Sequence, residues 1–303
     1  MTGDFDNDGW PDIYVACDST PSMLFHHNHD GTFSEIALTA GVAYNEDGHE
    51  QAGMGAHAAD YDGDGWLDII KTNFSDDNST LYHNNGDGTF TDATDQAGLG
   101  ANTRFLGWGT LFVDVDNDGR PDLFIANGHV YPEVDGKGLT ATFRERKVLY
   151  WNQGNGKFKD ISLNAGTGIM AAFNSHGVAA ADLENDGVVE ILVNNSHDPP
   201  SLLKNLGDHQ NWILLKLTGT KSNRDAIGAK VTVRANGRQQ VQEVRSGGGY
   251  ISQSDFRLHF GLGTAAKLDG AEIRWPRGFV EKLENIPANQ IVTIKEEVGI
   301  VKR

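Results

Sequence analysis

Cysteine and positive charge are both scarce in this chain, and no long apolar run occurs. A single cysteine, Cys17, leaves no partner for an internal disulfide. No window approaches the roughly 18 consecutive apolar residues of a membrane-crossing helix. Lys and Arg number 25 against 42 Asp and Glu, a net charge of −17. The deficit lies in residues 1–208, with 10 basic against 33 acidic side chains (−23), whereas 209–303 carry 15 against 9 (+6). An acidic larger part without a basic reading module disfavours nucleic acid as a partner. Met1 stands three residues before the first motif, so no signal peptide is expected within this chain. The stretch Ser246-Gly-Gly-Gly-Tyr250 lacks the Lys-Ser/Thr pair of a phosphate loop, so a bend where strands approach closely is the expectation there. Ser22, Ser175 and Ser196 sit in no Gly-x-Ser-x-Gly elbow.

What is abundant is glycine, at 37 residues, and acid at fixed spacing. Asp4-Phe-Asp6-Asn-Asp8-Gly9-Trp10-Pro-Asp12 returns as Asp60-Tyr-Asp62-Gly-Asp64-Gly65-Trp66-Leu-Asp68 and as Asp114-Val-Asp116-Asn-Asp118-Gly119-Arg120-Pro-Asp122. An altered form follows as Asp182-Leu-Glu184-Asn-Asp186-Gly187-Val188-Val-Glu190. Carboxylates at positions 1, 3, 5 and 9 converge only if the chain turns sharply, and the glycine at position 6 permits the turn. Two carboxylates ~5 Å apart repel by at most about 3 kcal/mol at an effective dielectric of ~20, so an oxygen-preferring cation such as Ca2+ suits the cage. These loops hold 16 of the acidic side chains, which makes most of the negative charge local. An EF-hand needs Glu at position 12, and Val15, Lys71, Ile125 and Val193 stand there instead. Strand-like runs such as Asp68-Ile-Ile-Lys-Thr follow each loop, so the loop joins two strands.

Each loop is followed by a hairpin: Leu24-Phe-His-His-Asn28 turning to Phe33, Leu81-Tyr-His-Asn84 to Phe90, and Leu149-Tyr-Trp-Asn152 to Phe158. Ala-Gly pairs close the units at Gly41, Gly98 and Gly166. Successive first ligands are 56, 54 and 68 residues apart, the length of a four-stranded propeller blade. The longest interval holds an insertion over 128–146, expected to project as a loop. Only Met1-Thr-Gly3 precedes the first loop, so the first blade is expected to lack its leading strand.

Loops and hairpins together resemble the FG-GAP/VCBS repeats of integrin-type and bacterial β-propellers over residues 1–208. The resemblance implies structural Ca2+ at Asp4, Asp6, Asp8 and Asp12 with the Trp10 carbonyl between them. The same pattern gives Asp60, Asp62, Asp64, Asp68 with Trp66, and Asp114, Asp116, Asp118, Asp122 with Arg120. The fourth set, Asp182, Glu184, Asp186, Val188 and Glu190, has longer arms at positions 3 and 9 and is expected to bind weakly or not at all. Such propellers close with about seven blades, so four loops read as the C-terminal portion of a longer ring.

Residues 209–303 carry a different all-β pattern. About six strands, among them Trp212–Leu217, Lys230–Arg234 and Ile291–Lys295, suffice for a small sandwich or barrel. Gly228-Ala-Lys-Val, Gly248-Gly-Tyr-Ile-Ser-Gln-Ser254, His259-Phe-Gly-Leu-Gly263 and Trp275-Pro-Arg-Gly278 resemble the ASPIC/UnbV domain, which follows FG-GAP repeats in the cartilage acidic protein family and in bacterial secreted chains.

Among the remaining polar residues, His26 and His27 are strand neighbours on opposite faces, so with His29 they read as exposed hairpin residues rather than a shared metal site. Trp10 and Trp66 are expected to pack on a neighbouring loop in preference to stacking on a sugar. The whole reads as a non-catalytic, calcium-stabilised scaffold outside the cytoplasm, secreted or on a cell surface or in a periplasm, offering its propeller face to a protein or glycan. The competing readings are a polysaccharide lyase or hydrolase and a lectin. A deep pocket joining His57 or His176 to Arg or Lys outside the loops would favour the enzyme.

Overall fold

A computed structural model describes residues 1–138, 140–207 and 209–301. Strand and turn signals are realised as four consecutive small antiparallel sheets. Blade 1 comprises β1 (Thr2–Gly3), β2 (Asp12–Val15), β3 (Met23–His27) and β4 (Phe33–Glu35). Blade 2 comprises β5 (Ala56–Ala59), β6 (Asp68–Lys71), β7 (Thr80–Asn84) and β8 (Phe90–Asp92). Blade 3 comprises β9 (Gly107–Val113), β10 (Asp122–Asn127), β11 (Val148–Gly154) and β12 (Lys157–Asp160). Blade 4 has three strands, β13 (Ser175–Ala181), β14 (Glu190–Asn195) and β15 (Ser201–Leu203).

Two expectations are corrected. Blade 1 does have a leading strand: Thr2 and Gly3 pair with Ile13 and Asp12, and the amino group of Met1 donates to the Tyr14 carbonyl at 2.8 Å. Two residues are too short to show any alternation in sequence. The insertion also does not simply project. Its charged end buries Glu145, which accepts the Leu106 amide at 2.9 Å, and Lys147, whose Nζ donates to the Ala171 carbonyl at 3.1 Å.

The apolar runs after each loop are continuous because the second strand of an inner blade is covered on both faces. Ile69 packs toward blade 1 with Tyr14 and Leu24, while its neighbour Ile70 packs toward blade 3 with Phe112 and Leu123. Blades 3 and 4 share a third cluster that includes Phe124, Leu149, Val178 and Val193. The asparagine of each hairpin fastens one blade to the preceding one. Asn84 donates to the carbonyls of Phe5 (2.8 Å) and Leu67 (3.1 Å). Asn152 does the same with Tyr61 (2.8 Å) and Pro121 (2.9 Å), and Asn205 reaches Val115 at 2.6 Å. Each bond to the preceding blade meets position 2 of that blade's acidic loop.

The C-terminal part is a sandwich of two four-stranded sheets, eight strands against the six expected. One sheet orders β19 (Leu258–Gly263), β16 (Asn211–Thr218), β22 (Gln290–Lys295) and β23 (Gly299–Ile300). The other orders β18 (Arg238–Glu243), β17 (Lys230–Ala235), β20 (Lys267–Arg274) and β21 (Val280–Pro287). The sequence reading missed β21 and β23. Strand β21 is mostly exposed and charged (Val-Glu-Lys-Leu-Glu-Asn), so its apolar face is thin. Between the sheets lie Ile213, Leu215, Val231, Val233, Phe260, Ile273 and Trp275. Buried Glu296 closes one end of this core, accepting the amides of Thr220, Lys221 and Ser222 at 2.7–2.8 Å and the Ser222 hydroxyl at 2.8 Å. Those donors outweigh desolvation and hold its carboxyl down at about 2.

Asn152→Ala should cost about 2–4 kcal/mol, since it strands two buried carbonyls at a blade junction; denaturant titration measures it, and a loss under ~1 kcal/mol would deny the asparagine that fastening role. The Glu296 carboxyl is depressed from 4.5, so its stabilisation is complete above that value and is lost as pH falls toward about 2. Glu296→Gln should therefore melt below wild type near neutral pH, with the gap closing between about pH 5 and about pH 2; a gap independent of pH would contradict this.

Candidate metal centre

The four loops share one backbone scaffold. The amide at position 2 donates to the carboxylate at position 9, as Phe5 to Asp12 (3.3 Å), Tyr61 to Asp68 (3.2 Å), Val115 to Asp122 (3.0 Å) and Leu183 to Glu190 (3.0 Å). The amide of the position 6 glycine donates to the first carboxylate in every loop, at 2.8–3.1 Å. Position 7 donates to position 5, as Trp10 to Asp8 (2.7 Å), Trp66 to Asp64 (2.9 Å), Arg120 to Asp118 (2.8 Å) and Val188 to Asp186 (3.0 Å). Position 4 is left-handed each time, at Asn7 (φ 61°), Gly63 (φ 83°), Asn117 (φ 60°) and Asn185 (φ 59°). Its Asn/Gly identity was a readable signal of that turn.

Carboxylate oxygens converge in three loops: Asp4, Asp6 and Asp8; Asp60, Asp62 and Asp64; and Asp114, Asp116 and Asp122, each set within 4.8 Å. Asp118 leaves its set by pairing with Arg120. Asp182, Glu184, Asp186 and Glu190 form no such set among the described residues, and Lys204 Nζ sits 2.6 Å from Glu184. Burial raises the carboxyls, and Lys230 near Asp4 and His83 on Asp68 offset it only in part. Asp4 and Asp68 are pushed up to about 6, Asp60 to about 7 and Asp122 to about 8, while Asp114 goes well above its ordinary range. Crowding by Asp62, Asp64 and Asp68 adds to burial at Asp60. Asp4 Oδ1 and Glu190 Oε1 are buried and have no hydrogen-bond partner. Such donors fit a hard cation.

The residue before each hairpin asparagine, or before its counterpart His27 in blade 1, lies over position 3 of its own loop. His26 Nδ1 is 3.3 Å from both Asp6 and Asp12. His83 Nδ1 is 3.4 Å from Asp62 and 3.2 Å from Asp68, and the hydrogen bond to Asp68 lifts His83 to about 9. Trp151 Nε1 donates to Asp116 at 3.1 Å, and Lys204 completes the series. The expectation of exposed hairpin histidines is thus corrected for His26. Its ring lies against the loop. Position 7 packs on its own blade's hairpin instead of a neighbouring loop: Trp10 stacks on His27 and His29, and the Trp66 ring lies where a Cβ on Gly86 would sit.

The C-terminal sandwich docks on the crests of these loops. A Cβ at position 6 would meet Arg274 at Gly9, Gln240 and the Gly261 carbonyl at Gly119, and the Trp212 ring at Gly187. Close approach as well as a left-handed φ therefore demands glycine. Arg274 donates to the carbonyls of Asn7 (3.1 Å) and Asp8 (2.9 Å). Arg238 reaches Asp118 (2.6 Å) and Arg257 reaches Asp182 (2.8 Å). Along the inner strands, Gly248 and Gly249 press against His57 and the Thr110 carbonyl, and Gly249 exchanges two hydrogen bonds with Ala56 at 3.0 and 3.2 Å. The glycine run is a close-approach bend, as expected.

Between loops and sandwich lies a cavity of about 610 Å³ whose lining includes His57, Tyr61, Glu243, Arg245 and Arg257. Its polar groups are largely engaged: Arg245 with the Ala58 carbonyl, Gln242 with the His259 carbonyl at 2.6 Å, and Glu243 with the Asp4 amide at 3.3 Å. Burial drives His57 well below the ordinary imidazole range, so it is neutral, and its Nδ1 accepts the Phe112 amide at 3.4 Å. His176 lies outside this lining, with Nε2 2.9 Å from Asn174 Oδ1.

Three four-stranded blades and a three-stranded fourth, each carrying a glycine-turned acidic loop and capped by a β-sandwich, define a propeller-type repeat protein. The chain belongs to the FG-GAP-like repeat family, whose pattern matches residues 4–71, 60–125 and 139–193. The ASPIC and UnbV pattern matches residues 219–301. Relatives include Cartilage acidic protein 1 of Homo sapiens, 27% identical over 88% of this chain, and that of Xenopus tropicalis, 27% identical over 90%. The chain spans only 39% and 40% of the length of these relatives. Among solved structures, a Bacillus licheniformis rhamnogalacturonan lyase aligns with 16% identity over 94% of this chain and 56% of that one, at a TM-score of 0.35. A likeness that distant adds nothing to what the sheets themselves show.

Gly261→Ala should push the sandwich off the third loop, because the added Cβ overlaps Asp114 and the Asn117 backbone. The expected cost is about 1–3 kcal/mol, with faster protease cleavage between residues 204 and 211. Wild-type melting and protease resistance would show that the loop crest yields without undocking.

Proposed function

We propose that the chain is a calcium-stabilised, non-catalytic binding and adhesion scaffold that works outside the cytoplasm. Three loops would hold Ca2+ and the fourth weakly or not at all. The observation that carries this is the three convergent carboxylate sets, each with one buried member (Asp4, Asp60 or Asp122), with Asp4 Oδ1 left without a partner. Asp4, Asp6, Asp8 and Asp12 would hold the first ion, Asp60, Asp62, Asp64 and Asp68 the second, and Asp114, Asp116, Asp118 and Asp122 the third, with the carbonyls of Trp10, Trp66 and Arg120 between. A bound cation neutralises the crowded carboxylates and braces the turn. Extracellular calcium sites of this kind bind at roughly 10^-4–10^-3 M and stay loaded outside a cell.

The non-catalytic reading is supported by where the cavity's polar groups are spent, namely on contacts between sandwich and blades and within each of them. A protein or glycan partner would meet the propeller surface. Leu192 and Leu202, paired across β14 and β15, are 48% and 57% exposed and offer an apolar patch there. A second reading, a polysaccharide-active enzyme, draws on the cavity that holds neutral His57 and Arg245 together.

Chelation with EGTA should lower the melting temperature on the order of 10 °C, since each loop at hundredfold excess over Kd adds about 2.7 kcal/mol. An unchanged melting temperature would refute the calcium part. Polysaccharide cleavage by the full chain, lost in His57→Ala, would replace the scaffold with the enzyme.

A further inference from the structure

The cavity between loops and sandwich is lined by four arginines, Arg120, Arg238, Arg245 and Arg257, and they are not alike. Arg120 pairs with Asp118 and Arg257 with Asp255, the latter at 2.6 Å, while Arg238 is exposed at the rim. Arg245 is partly buried in the lining and pairs with no carboxylate among the described residues. One of its Nη atoms donates to the Ala58 carbonyl, whereas Nε and the other Nη donate to no group there. Burial pushes even this guanidinium below its ordinary range, with Glu243 acting against it. Glu243 does not close on it, because both its oxygens face the Asp4 amide at 3.3 Å. A guanidinium drawn out of bulk water without a counterion is costly.

Neutral His57 lines the same cavity. Its Nδ1 accepts the Phe112 amide at 3.4 Å, so the ring proton is on Nε2, which has no partner among the described residues. A Cβ at Gly248 would lie 3.4 Å from that nitrogen, and glycine leaves the place free. The acids of the lining are turned elsewhere. Asp60, Asp114 and Asp182 accept the glycine amides of their own loops, and Asp62 lies against His83. The free hydrogen-bonding capacity at this end of the cavity is therefore that of donors.

We propose that this cavity binds a small carboxylate-bearing ligand, with Arg245 taking the carboxylate and His57 Nε2 serving as a second donor. The planar fork of a guanidinium matches the two oxygens of a carboxylate, and a carboxylate supplies the counterion that Arg245 lacks. A single charge also suits the lining, where six acids stand against four arginines and would repel the second charge of a phosphate ester. The cavity, at about 610 Å³, has the size of a small-molecule pocket. Its rim is exposed at Gly63, Asn155 and Arg238, which opens it to solvent. Gln239 lines it too, with a side-chain amide that bonds no protein group among the described residues and is free for a ligand hydroxyl. Such a site lies apart from the propeller surface where a protein or glycan would meet the scaffold, and neither depends on the other.

Isothermal titration calorimetry on the full chain, with Ca2+ present, tests this with three probes: glucuronate, its neutral methyl ester and succinate. At least one of the two acids should bind saturably with a Kd of about 1 mM or tighter, and the ester should not. Preference for glucuronate assigns the site to sugar acids and preference for succinate to open-chain acids, and either upholds the carboxylate chemistry. Arg245→Lys keeps the charge but loses the fork, and should weaken binding about tenfold or more. His57→Phe keeps a ring but loses the N–H, and should weaken it by a smaller, measurable factor. Arg245 also holds the Ala58 carbonyl, so the melting temperature of its variant is measured without probe; if that variant does not fold, His57→Phe carries the test. Three results would overturn the site: no saturable binding of either acid, an ester bound as tightly as the acid, or an affinity unchanged in Arg245→Lys (in His57→Phe where the former fails to fold). Arg245 would then be a docking contact only.

Discussion

The contact on which the molecule depends is the seating of a basic sandwich on the glycine crests of acidic loops. Residues 1–208 carry −23 and 209–303 carry +6, and the meeting surface is where that asymmetry is used. Arg274, Arg238 and Arg257 take carbonyls of loops 1, 3 and 4. The side-chain-free position 6 lets the sandwich approach to van der Waals distance. A loop with any other residue there would lose both its turn and its lid.

The inner strands show how the same approach continues the propeller. Five residues before each first ligand stands a glycine, Gly55, Gly109 or Gly177. A Cβ on Gly55 would overlap the Trp108 carbonyl of blade 3, and one on Gly109 would lie 2.5 Å from the His176 carbonyl of blade 4. For Gly177 the crowding groups are Ser252 Oγ at 2.8 Å and the Tyr250 carbonyl at 3.3 Å, both from the sandwich. Residues 250–252 thus occupy, beside blade 4, the place that an inner strand occupies beside blades 2 and 3. The Ala180 amide then donates to Ser254 Oγ at 3.1 Å. The sandwich is packed into the blade series as well as on top of it.

Much of this was legible in the residues. Four spaced acidic runs, hairpins closed by Gly/Asn/Asp, and the absence of Glu at position 12 led to blades joined by non-EF-hand loops, because those signals are local. What escaped depends on partners far along the chain. Asn84 and Asn152 were read only as hairpin residues, but their side chains, like that of Asn205, bond a loop 79 to 91 residues earlier. The glycine at position 6 was read as a turn former, yet the Arg274 and Trp212 that also require it belong to another domain. Strand alternation puts His26 and His27 on opposite faces, but periodicity does not say which face looks onto the loop. Strands β1 and β21 were missed because one is two residues long and the other is largely charged.

The loops therefore have two faces that use different atoms. Outward, backbone carbonyls at positions 1, 4 and 5 accept guanidinium groups from the sandwich. Inward, side-chain oxygens at positions 1, 3, 5 and 9 accept loop amides while keeping some lone pairs free, most plainly Asp4 Oδ1 and Glu190 Oε1. An arginine on the crest takes no carboxylate oxygen from the interior, so docking leaves those oxygens to the loop. Loop 4 shows the limit of that independence. There Lys204 reaches Glu184 from the hairpin side in a half-exposed ion pair, and the four acids, two of them longer-armed, form no convergent set among the described residues. Its backbone bonds nevertheless match those of the other three loops. The scaffold of the turn is thus set by glycine and amide geometry, while side-chain length and the residue before the hairpin asparagine decide what the turn encloses.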